Sequence, residues 1–194
     1  MARLSELEFP AELVASARAG DPAALAAIYD QAAGPILTLL VRLVRRRAVA
    51  EELLQETFVD VLEHISDFAG RCPLAAWIRT LAVNRALMYL RSPWHRAVDR
   101  LTPDQHADAG LTLAGSRSGG NDQDLERALM RLQPLTRAVI WLHDVEGYTH
   151  AEIGALLGRT PSFSKSQLAR AHLRLRGLLE RDTAVPEGAA CRPV

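Results

Sequence analysis

One segment of the chain constrains the fold more than any other, because it cannot sustain regular secondary structure. Residues 93–122 bring together six prolines and glycines, namely Pro93, Pro103, Gly110, Gly115, Gly119 and Gly120. Within this segment, the run Ser-Arg-Ser-Gly-Gly-Asn at 116–121 has the composition of a flexible linker. The sequence therefore predicts two domains, 1–92 and 123–182, joined by the linker 93–122 and followed by a disordered tail at 183–194.

Both blocks carry the composition and the periodicity of helices. The aromatic share is only 5%, which argues against a β-sandwich, and the abundant Ala, Leu, Arg and Glu favour helix. Apolar residues recur at helical spacing in each block: Leu54, Phe58, Val61, Leu62 and Ile65 in the first, and Leu125, Leu129 and Leu132 in the second. We predict an all-α protein, two small helical domains, in which the first of these stripes faces a core and the second lies along one side of its helix.

Prolines mark several helix boundaries in the first block. Asp21-Pro22 has the pattern of a helix start, with Asp as the cap and Pro at the first helical position. Pro35 is expected to start the next helix. Pro73 is expected to open a further helix that Pro93 ends.

The second block contains the pattern of a helix-turn-helix. Thr149 followed by Glu152 matches the capping box at a helix start. Gly158 is predicted to end that helix, and Thr160-Pro161 is predicted to begin a longer one. A short helix, a tight turn and a longer helix form the arrangement that inserts a second helix into the DNA major groove.

The longer helix concentrates positive charge, although the formal net charge of the chain is zero. Residues 158–181 hold one acid, Glu180, and six basic residues, namely Arg159, Lys165, Arg170, Arg174, Arg176 and Arg181. A helical wheel places Leu168, Ala171, Leu175 and Leu178 on the core side, and Phe163, Ser166, Gln167, Arg170 and Arg174 on an exposed side. Arg and Lys donate to phosphates and guanine edges, and Gln pairs with adenine, so this pattern favours DNA contact. An ordinary solvated or protein-binding face is the alternative.

Several classes of protein are disfavoured. Cys72 and Cys191 lack the spacing of a zinc site or a redox motif, so we expect neither a metal nor another cofactor. We find no nucleophile elbow, P-loop or paired-acid constellation, and therefore expect no enzymatic activity. No apolar run suggests a membrane span and residues 1–13 lack the pattern of a signal peptide, so we expect a cytoplasmic protein.

The order and content of the motifs resemble the extracytoplasmic-function (ECF) sigma factors of the sigma-70 family. In the second block, the matching stretches are Leu-Gln-Pro-Leu-Thr-Arg-Ala-Val at 132–139, Asp-Val-Glu-Gly-Tyr-Thr-His-Ala-Glu-Ile at 144–153 and Lys-Ser-Gln-Leu-Ala-Arg-Ala at 165–171. In the first block, they are Ala-Glu-Glu-Leu-Leu-Gln-Glu-Thr-Phe at 50–58, then Phe68 and Gly70, and then Ala-Trp-Ile-Arg at 76–79 with Asn84 beyond it.

This resemblance implies a role in transcription initiation and assigns three sets of residues. The set implied to bind core RNA polymerase is Glu51, Glu52, Leu53, Gln55, Glu56 and Phe58. The set implied to bind the promoter −10 element is Phe68, Trp77, Arg79, Asn84 and Arg85. The set implied to bind the −35 element is Thr160, Ser162, Phe163, Lys165, Ser166, Gln167, Arg170 and Arg174. Its implied partners are core RNA polymerase, promoter DNA and an anti-sigma factor.

The chemistry of the first two sets fits those roles. An acidic helix face suits a basic partner protein better than DNA, whose phosphates it repels, although a solvated face is the alternative. Trp77 is either a core residue or a stacking platform. We expect Trp77, Leu81 and Met88 to form an apolar stripe that Asn84 interrupts, which is costly unless the amide finds partners.

The third set departs from the family pattern in its first turn. Ser162-Phe163-Ser164 stands where Gly-Thr-Val is common, and Gln167 stands where Arg is common. The −35 sequence therefore cannot be carried over from other members. Two other hypotheses remain open: a stand-alone helix-turn-helix regulator and a helical protein-interaction module. A third, an enzyme, is disfavoured because the catalytic motifs named above are missing from the sequence.

Overall fold

A computed structural model of the chain describes residues 7–92 and 120–183. Across these two ranges it contains eight α-helices and no strand, which confirms the all-α class. The chain divides into two compact units between Gly115 and Ser116, a point inside the segment predicted as a linker. Most of that predicted linker, 93–119, and nearly all of the predicted tail lie outside the described residues.

Within residues 7–92, the first unit contains four helices and a short 3₁₀ turn. Their bounds are Ala11–Arg18 (α1), Pro22–Val44 (α2), Arg47–His64 (α3), Ile65–Asp67 (3₁₀) and Leu74–Arg91 (α4). The predicted cap of α2 is confirmed, because the Asp21 carboxylate accepts a hydrogen bond from the Ala23 N–H at 3.0 Å. Helices α2, α3 and α4 pack against one another, and Ile28, Leu40 and Ile78 lie fully buried between them.

The expectation that Pro35 starts a new helix is wrong. Pro35 lies inside α2, which continues from Pro22 to Val44. Ala32 before the proline and Ile36 after it are both fully buried, so one apolar face continues through position 35. Gln31, whose carbonyl loses its hydrogen-bond donor to the proline, is exposed, and water can therefore solvate that carbonyl.

Helix α2 is also long and apolar enough to cross a membrane, with a mean hydropathy of 1.5 over its most apolar stretch. The expectation that no apolar run reaches the length of a membrane span is therefore wrong. Helix α2 is the one such helix in the described part of the chain, and the core helix of a soluble protein passes the same test of length and composition. Nine of its side chains are buried against the neighbouring helices. Its hydropathy therefore reflects its place at the centre of the first unit.

The described part of the second unit, residues 120–183, contains four helices. Their bounds are Gly120–Met130 (α5), Pro134–Ile140 (α6), His150–Leu157 (α7) and Pro161–Thr183 (α8), and α6 runs on into a π-helical turn, Trp141–Val145. Helix α5 begins three residues inside the segment predicted as a linker. The core collects buried aliphatic side chains from α6, α7 and α8, including Val139, Ile153 and Leu168.

The predicted helix-turn-helix is confirmed in its local details. Thr149 Oγ1 accepts from the Glu152 N–H at 3.2 Å and the Glu152 carboxylate accepts from the Thr149 N–H at 2.8 Å, which completes a capping box. Gly158 ends α7 in the left-handed conformation, with φ +62°. The Thr160 hydroxyl accepts from the Phe163 N–H at 3.3 Å and caps α8.

Candidate functional site

The outward side of α3 carries four of the six residues assigned to polymerase binding. Glu51, Glu52, Gln55 and Glu56 are exposed. Leu53 and Phe58 are instead buried, at 5% and 8% exposure, because they lie on the side of α3 that packs against the unit. They stabilise the position of this surface and do not form part of it.

Two apolar residues that the sequence did not assign to polymerase binding lie among these polar groups. Val59 is 51% exposed and Leu62 is 56% exposed. The expectation that Leu62 faces the core is wrong, because it follows the buried Val61 directly and one residue turns a helix by about 100°. Leu62 lines an open apolar cleft of about 310 Å³ between α2 and α3. There the ring of Tyr29 contacts that of Phe58 edge-on, with centroids 4.7 Å apart.

Helix α4 buries a different stripe from the one expected. Its buried side includes Ile78, Ala82, Val83, Ala86, Leu87 and Leu90. Met88, predicted on the apolar stripe, is 62% exposed, and Trp77, Leu81 and Asn84 are half-buried. The two stripes are neighbours on the helix, and the buried one carries the smaller side chains Ala82, Val83 and Ala86.

The half-buried stripe of α4 presents an aromatic ring and an amide. The Trp77 ring lies against the buried ring of Phe68, with centroids 5.2 Å apart. Phe68 is therefore a support for Trp77 and not itself an exposed contact. Within the described residues, the half-buried Asn84 amide has no hydrogen-bond partner. Both side chains retain surface for a ligand.

The two arginines assigned to α4 differ in their surroundings. Arg79 is half-buried. Arg85 donates from Nε to Oδ2 of Asp60 at 2.7 Å and from Nη1 to the Glu56 carboxylate at 3.3 Å. The hydrogen bond from Arg85 lowers the pKa of Asp60 against the opposing effect of burial, and the same bond raises the pKa of Arg85.

Helix α8 exposes most of the residues assigned to the −35 element. Leu168 and Ala171 are buried as predicted, and Leu175 and Leu178 are half-buried. The exposed members of the set are Thr160, Ser162, Lys165, Ser166, Arg170 and Arg174.

Two members of this set differ from the expectation of full exposure. Gln167 is half-buried, because it lies at the edge of the core side of α8. Phe163 is also half-buried, and the Arg159 guanidinium lies 5.8 Å from its ring centroid. Both therefore present only part of their side chains to a ligand.

A polar network that the sequence analysis missed holds α8 against the rest of the helix-turn-helix. Asp144 pairs through one oxygen with Nδ1 of His143 at 2.8 Å and through the other with Nε2 of His172 at 2.6 Å. The His143 ring stacks on that of His150, with centroids 4.5 Å apart. Nδ1 of His150 lies 3.1 Å from the hydroxyl of Ser164, which is fully buried. The contacts link positions 14 and 28 residues apart, which no local pattern reveals.

This network shifts two pKa values. Burial raises the pKa of Asp144, but the hydrogen bonds from His143 and His172 outweigh burial and lower it. Burial, followed by the charges of His143 and Lys165, lowers the pKa of His150 below 6.5. The unfolded chain therefore binds a proton at His150 more readily than the folded chain does. The contribution of His150 to the free energy of unfolding therefore declines as the pH falls through 6.5, the ordinary pKa of this side chain.

Comparison with known proteins decides the family. The family models named Sigma-70 region 2 and Sigma-70, region 4 match residues 28–96 and 122–175. RNA polymerase sigma factor CarQ of Myxococcus xanthus is 32% identical over 156 residues, which cover 78% of this chain and 87% of CarQ. The chain belongs to the ECF sigma factors of the sigma-70 family.

Other relatives agree with this family. ECF RNA polymerase sigma factor SigL of Mycobacterium tuberculosis is 31% identical to this sigma factor, over 86% of this chain and 95% of SigL. A solved structure of the sigma factor RpoE with the anti-sigma factor NepR, from Bartonella quintana, has a TM-score of 0.56 and 24% identity. It covers 79% of this chain and 95% of that one, and the likeness supports the fold.

The family settles the class of function that the motifs predicted. As a sigma factor, the chain binds core RNA polymerase and promoter DNA and directs transcription initiation. The outward side of α3 and the half-buried stripe of α4 lie inside the region 2 match, and most of α8 lies inside the region 4 match. The hypothesis of a stand-alone regulator is not supported.

Proposed function

We propose that this sigma factor acts in the cytoplasm as a non-enzymatic initiation factor through three surfaces. The first is the polymerase surface, formed by Glu51, Glu52, Gln55, Glu56, Val59 and Leu62 of α3. The second is the −10 surface, formed by Trp77, Arg79, Asn84 and Arg85 of α4. The third is the −35 surface, formed by the exposed residues of α8 and its cap.

The exposed side of α3 is the observation that carries this proposal. Val59 and Leu62 are more than half exposed, and acids and an amide surround them. An apolar centre inside a polar rim is the usual anatomy of a protein interface. The acids favour a basic partner and disfavour DNA, so the polymerase is the appropriate occupant.

The −10 surface suits unpaired bases. An aromatic ring offers a stacking platform for a base, and an amide can donate to and accept from base edges. Trp77 and Asn84 lie seven residues apart on α4, which is two helical turns, so they occupy one face.

The −35 surface suits duplex DNA. Lys165, Arg170 and Arg174 are exposed, and basic groups on a reading helix contact phosphates and guanines in the major groove. Since RpoE was solved with an anti-sigma factor, we also propose that an anti-sigma factor restrains this chain by covering these surfaces.

Run-off transcription tests the proposal. Purified chain is added to core polymerase and a genomic promoter library, and transcripts are sequenced from their starts. Specific starts that require both the chain and the polymerase support it. A chain that binds duplex DNA but neither binds polymerase nor yields transcripts is instead a stand-alone regulator.

Replacing Asn84 with alanine should impair promoter melting more than duplex binding. Asn84 is half-buried and lacks a partner among the described residues, so folding should be little affected, whereas loss of a base contact costs about 1–3 kcal/mol. Permanganate footprinting should show about tenfold or more weaker melting at matched occupancy. The control is Thr80→Ala, since the Thr80 hydroxyl already bonds to the Ala76 carbonyl at 2.9 Å. Normal melting with reduced stability would assign Asn84 a structural role.

Replacing Arg170 and Gln167 with alanine should separate phosphate contact from base readout. Loss of a phosphate contact weakens all promoters alike and reduces the salt slope by about one unit, whereas loss of a base contact relaxes preference at one position. We expect the first result for Arg170→Ala and the second for Gln167→Ala, measured on holoenzyme with a library randomised across the −35 element. Arg127→Ala is the control, because it removes one positive charge from α5. If both variants behave as wild type, α8 does not enter the groove as proposed.

A further inference from the structure

A bidentate ion pair joins two of the surfaces proposed for the first unit. The Arg85 guanidinium on α4 donates from Nε and Nη2 to the two carboxylate oxygens of Asp60 on α3, at 2.7 and 2.5 Å. Its third nitrogen, Nη1, lies 3.3 Å from Oε2 of Glu56. Arg85 belongs to the proposed −10 surface and Glu56 to the proposed polymerase surface, so Asp60 stands between the two.

The charges around Arg85 do not suit a nucleic-acid phosphate while this pair persists. The carboxylates of Asp60 and Glu56 bond to the guanidinium, and Glu63 adds a further negative charge that acts on it. The side chain of Asp60 is only 17% exposed and that of Arg85 is 33% exposed. A phosphate that approaches Arg85 therefore meets a net negative cluster, and partial desolvation strengthens the ion pair that it must displace.

We propose that Asp60 is a positioning residue that holds Arg85 against α3 in the unbound chain and so couples the polymerase surface to the −10 surface. The inference rests on the proposed function. A basic group of the polymerase that pairs with Glu56 or Asp60 weakens their hold on Arg85, and the guanidinium then becomes available to a phosphate of the −10 strand. By thermodynamic linkage, DNA bound at Arg85 equally strengthens the interaction of the acids with the polymerase.

The test measures single-stranded DNA binding by the full chain without polymerase. The probe is a short fluorescent oligonucleotide of mixed sequence, because a phosphate contact does not depend on the bases. Asp60→Asn keeps the shape of the side chain and removes its charge. We expect this variant to bind the probe about tenfold more tightly, the affinity that one charge-assisted hydrogen bond supplies. Its binding should also depend more steeply on salt, by about 0.7 in the logarithmic slope.

A double-mutant design separates this role from general electrostatics. Glu63→Gln removes the same charge from the same helix, but Glu63 makes no hydrogen bond to Arg85 among the described contacts. The gain from Asp60→Asn should disappear in an Arg85→Ala background, whereas any smaller gain from Glu63→Gln should persist there. Thermal unfolding of each variant confirms that the comparison is made on folded protein.

Saturating core polymerase provides the second half of the test. If polymerase binding already weakens the pair, the gain from Asp60→Asn should shrink to less than half of its value in the free chain. A gain that survives Arg85→Ala, a gain of unchanged size with polymerase, or no gain at all would each overturn the proposal. If the wild-type chain fails to bind core polymerase or to support run-off transcription, the proposed function has failed, which is a separate result.

Discussion

Replacing Leu62 with glutamate should weaken binding to core RNA polymerase by about thirtyfold or more, which is the effect of losing a central interface residue. Leu62 is 56% exposed, so the substitution should leave the folded unit intact and change its free energy of unfolding by about 0.5 kcal/mol or less. The substitution would replace apolar contact area at the centre of the surface with a charge that is costly to desolvate. Titration of labelled core polymerase with purified chain measures the loss directly.

A matched exposed residue controls for the chemistry of this substitution. Val145 is 54% exposed in the second unit and belongs to none of the three proposed surfaces, so Val145→Glu should retain wild-type affinity. Leu62→Ala should fall between the two, because it removes contact area without adding charge. If Leu62→Glu binds polymerase as tightly as Val145→Glu does, the outward side of α3 is not the polymerase surface.

Replacing Gly154 with alanine should destabilise the second unit by about 1–3 kcal/mol, the usual cost of overpacking. A Cβ on Gly154 would lie 2.9 Å from the Arg159 carbonyl oxygen, 3.0 Å from the Thr160 carbonyl carbon and 3.1 Å from the Pro161 nitrogen. All three are backbone atoms of the turn that leads into α8, and backbone cannot rotate away as a side chain can. The displaced turn should also shift α8 and abolish −35 recognition. Denaturant unfolding measures the first effect, and binding to duplex promoter DNA measures the second.

Gly177 offers a control on the same motif. A Cβ there would meet nothing within 4 Å, and a helix-interior Gly costs roughly 0.5–1 kcal/mol relative to Ala. Gly177→Ala should therefore stabilise α8 slightly and leave promoter binding unchanged. Equal stability of the Gly154→Ala and Gly177→Ala variants would show that the turn yields to the extra methyl group.

Local signals in the sequence predicted local structure well. The Thr149 and Glu152 capping box, the left-handed Gly158 and the Asp21 cap each depend on residues within a few positions of one another, and the structure contains all three. The prediction from Pro35 was wrong because long-range packing decides the structure at that position. Its local preference for a helix start is weaker than the packing of α2 on both sides of it, and packing is not visible in a short window.

The candidate surfaces were less predictable, because helical periodicity leaves the direction of each face ambiguous. On α3, Leu62 extends an apolar stripe in sequence but turns away from the core in space. On α4, two neighbouring stripes compete, and the choice between them depends on the shape of α2 and α3. Contacts such as that between Asp60 and Arg85, which are 25 residues apart, depend on how whole helices pack. The spacing of residues in the sequence therefore does not predict them.

The contact between His150 and Ser164 has a consequence for engineering promoter specificity. Exchanging the first turn of a reading helix between relatives is an obvious route to a sigma factor with a new target. Here, transplanting the Gly-Thr-Val run that is common in the family would put valine in place of the fully buried Ser164. The transplant would deprive His150 of its hydroxyl partner on the neighbouring helix and would force a differently shaped, apolar side chain into a closely packed position. A successful chimera must therefore exchange positions 150 and 164 together, although they lie on different helices.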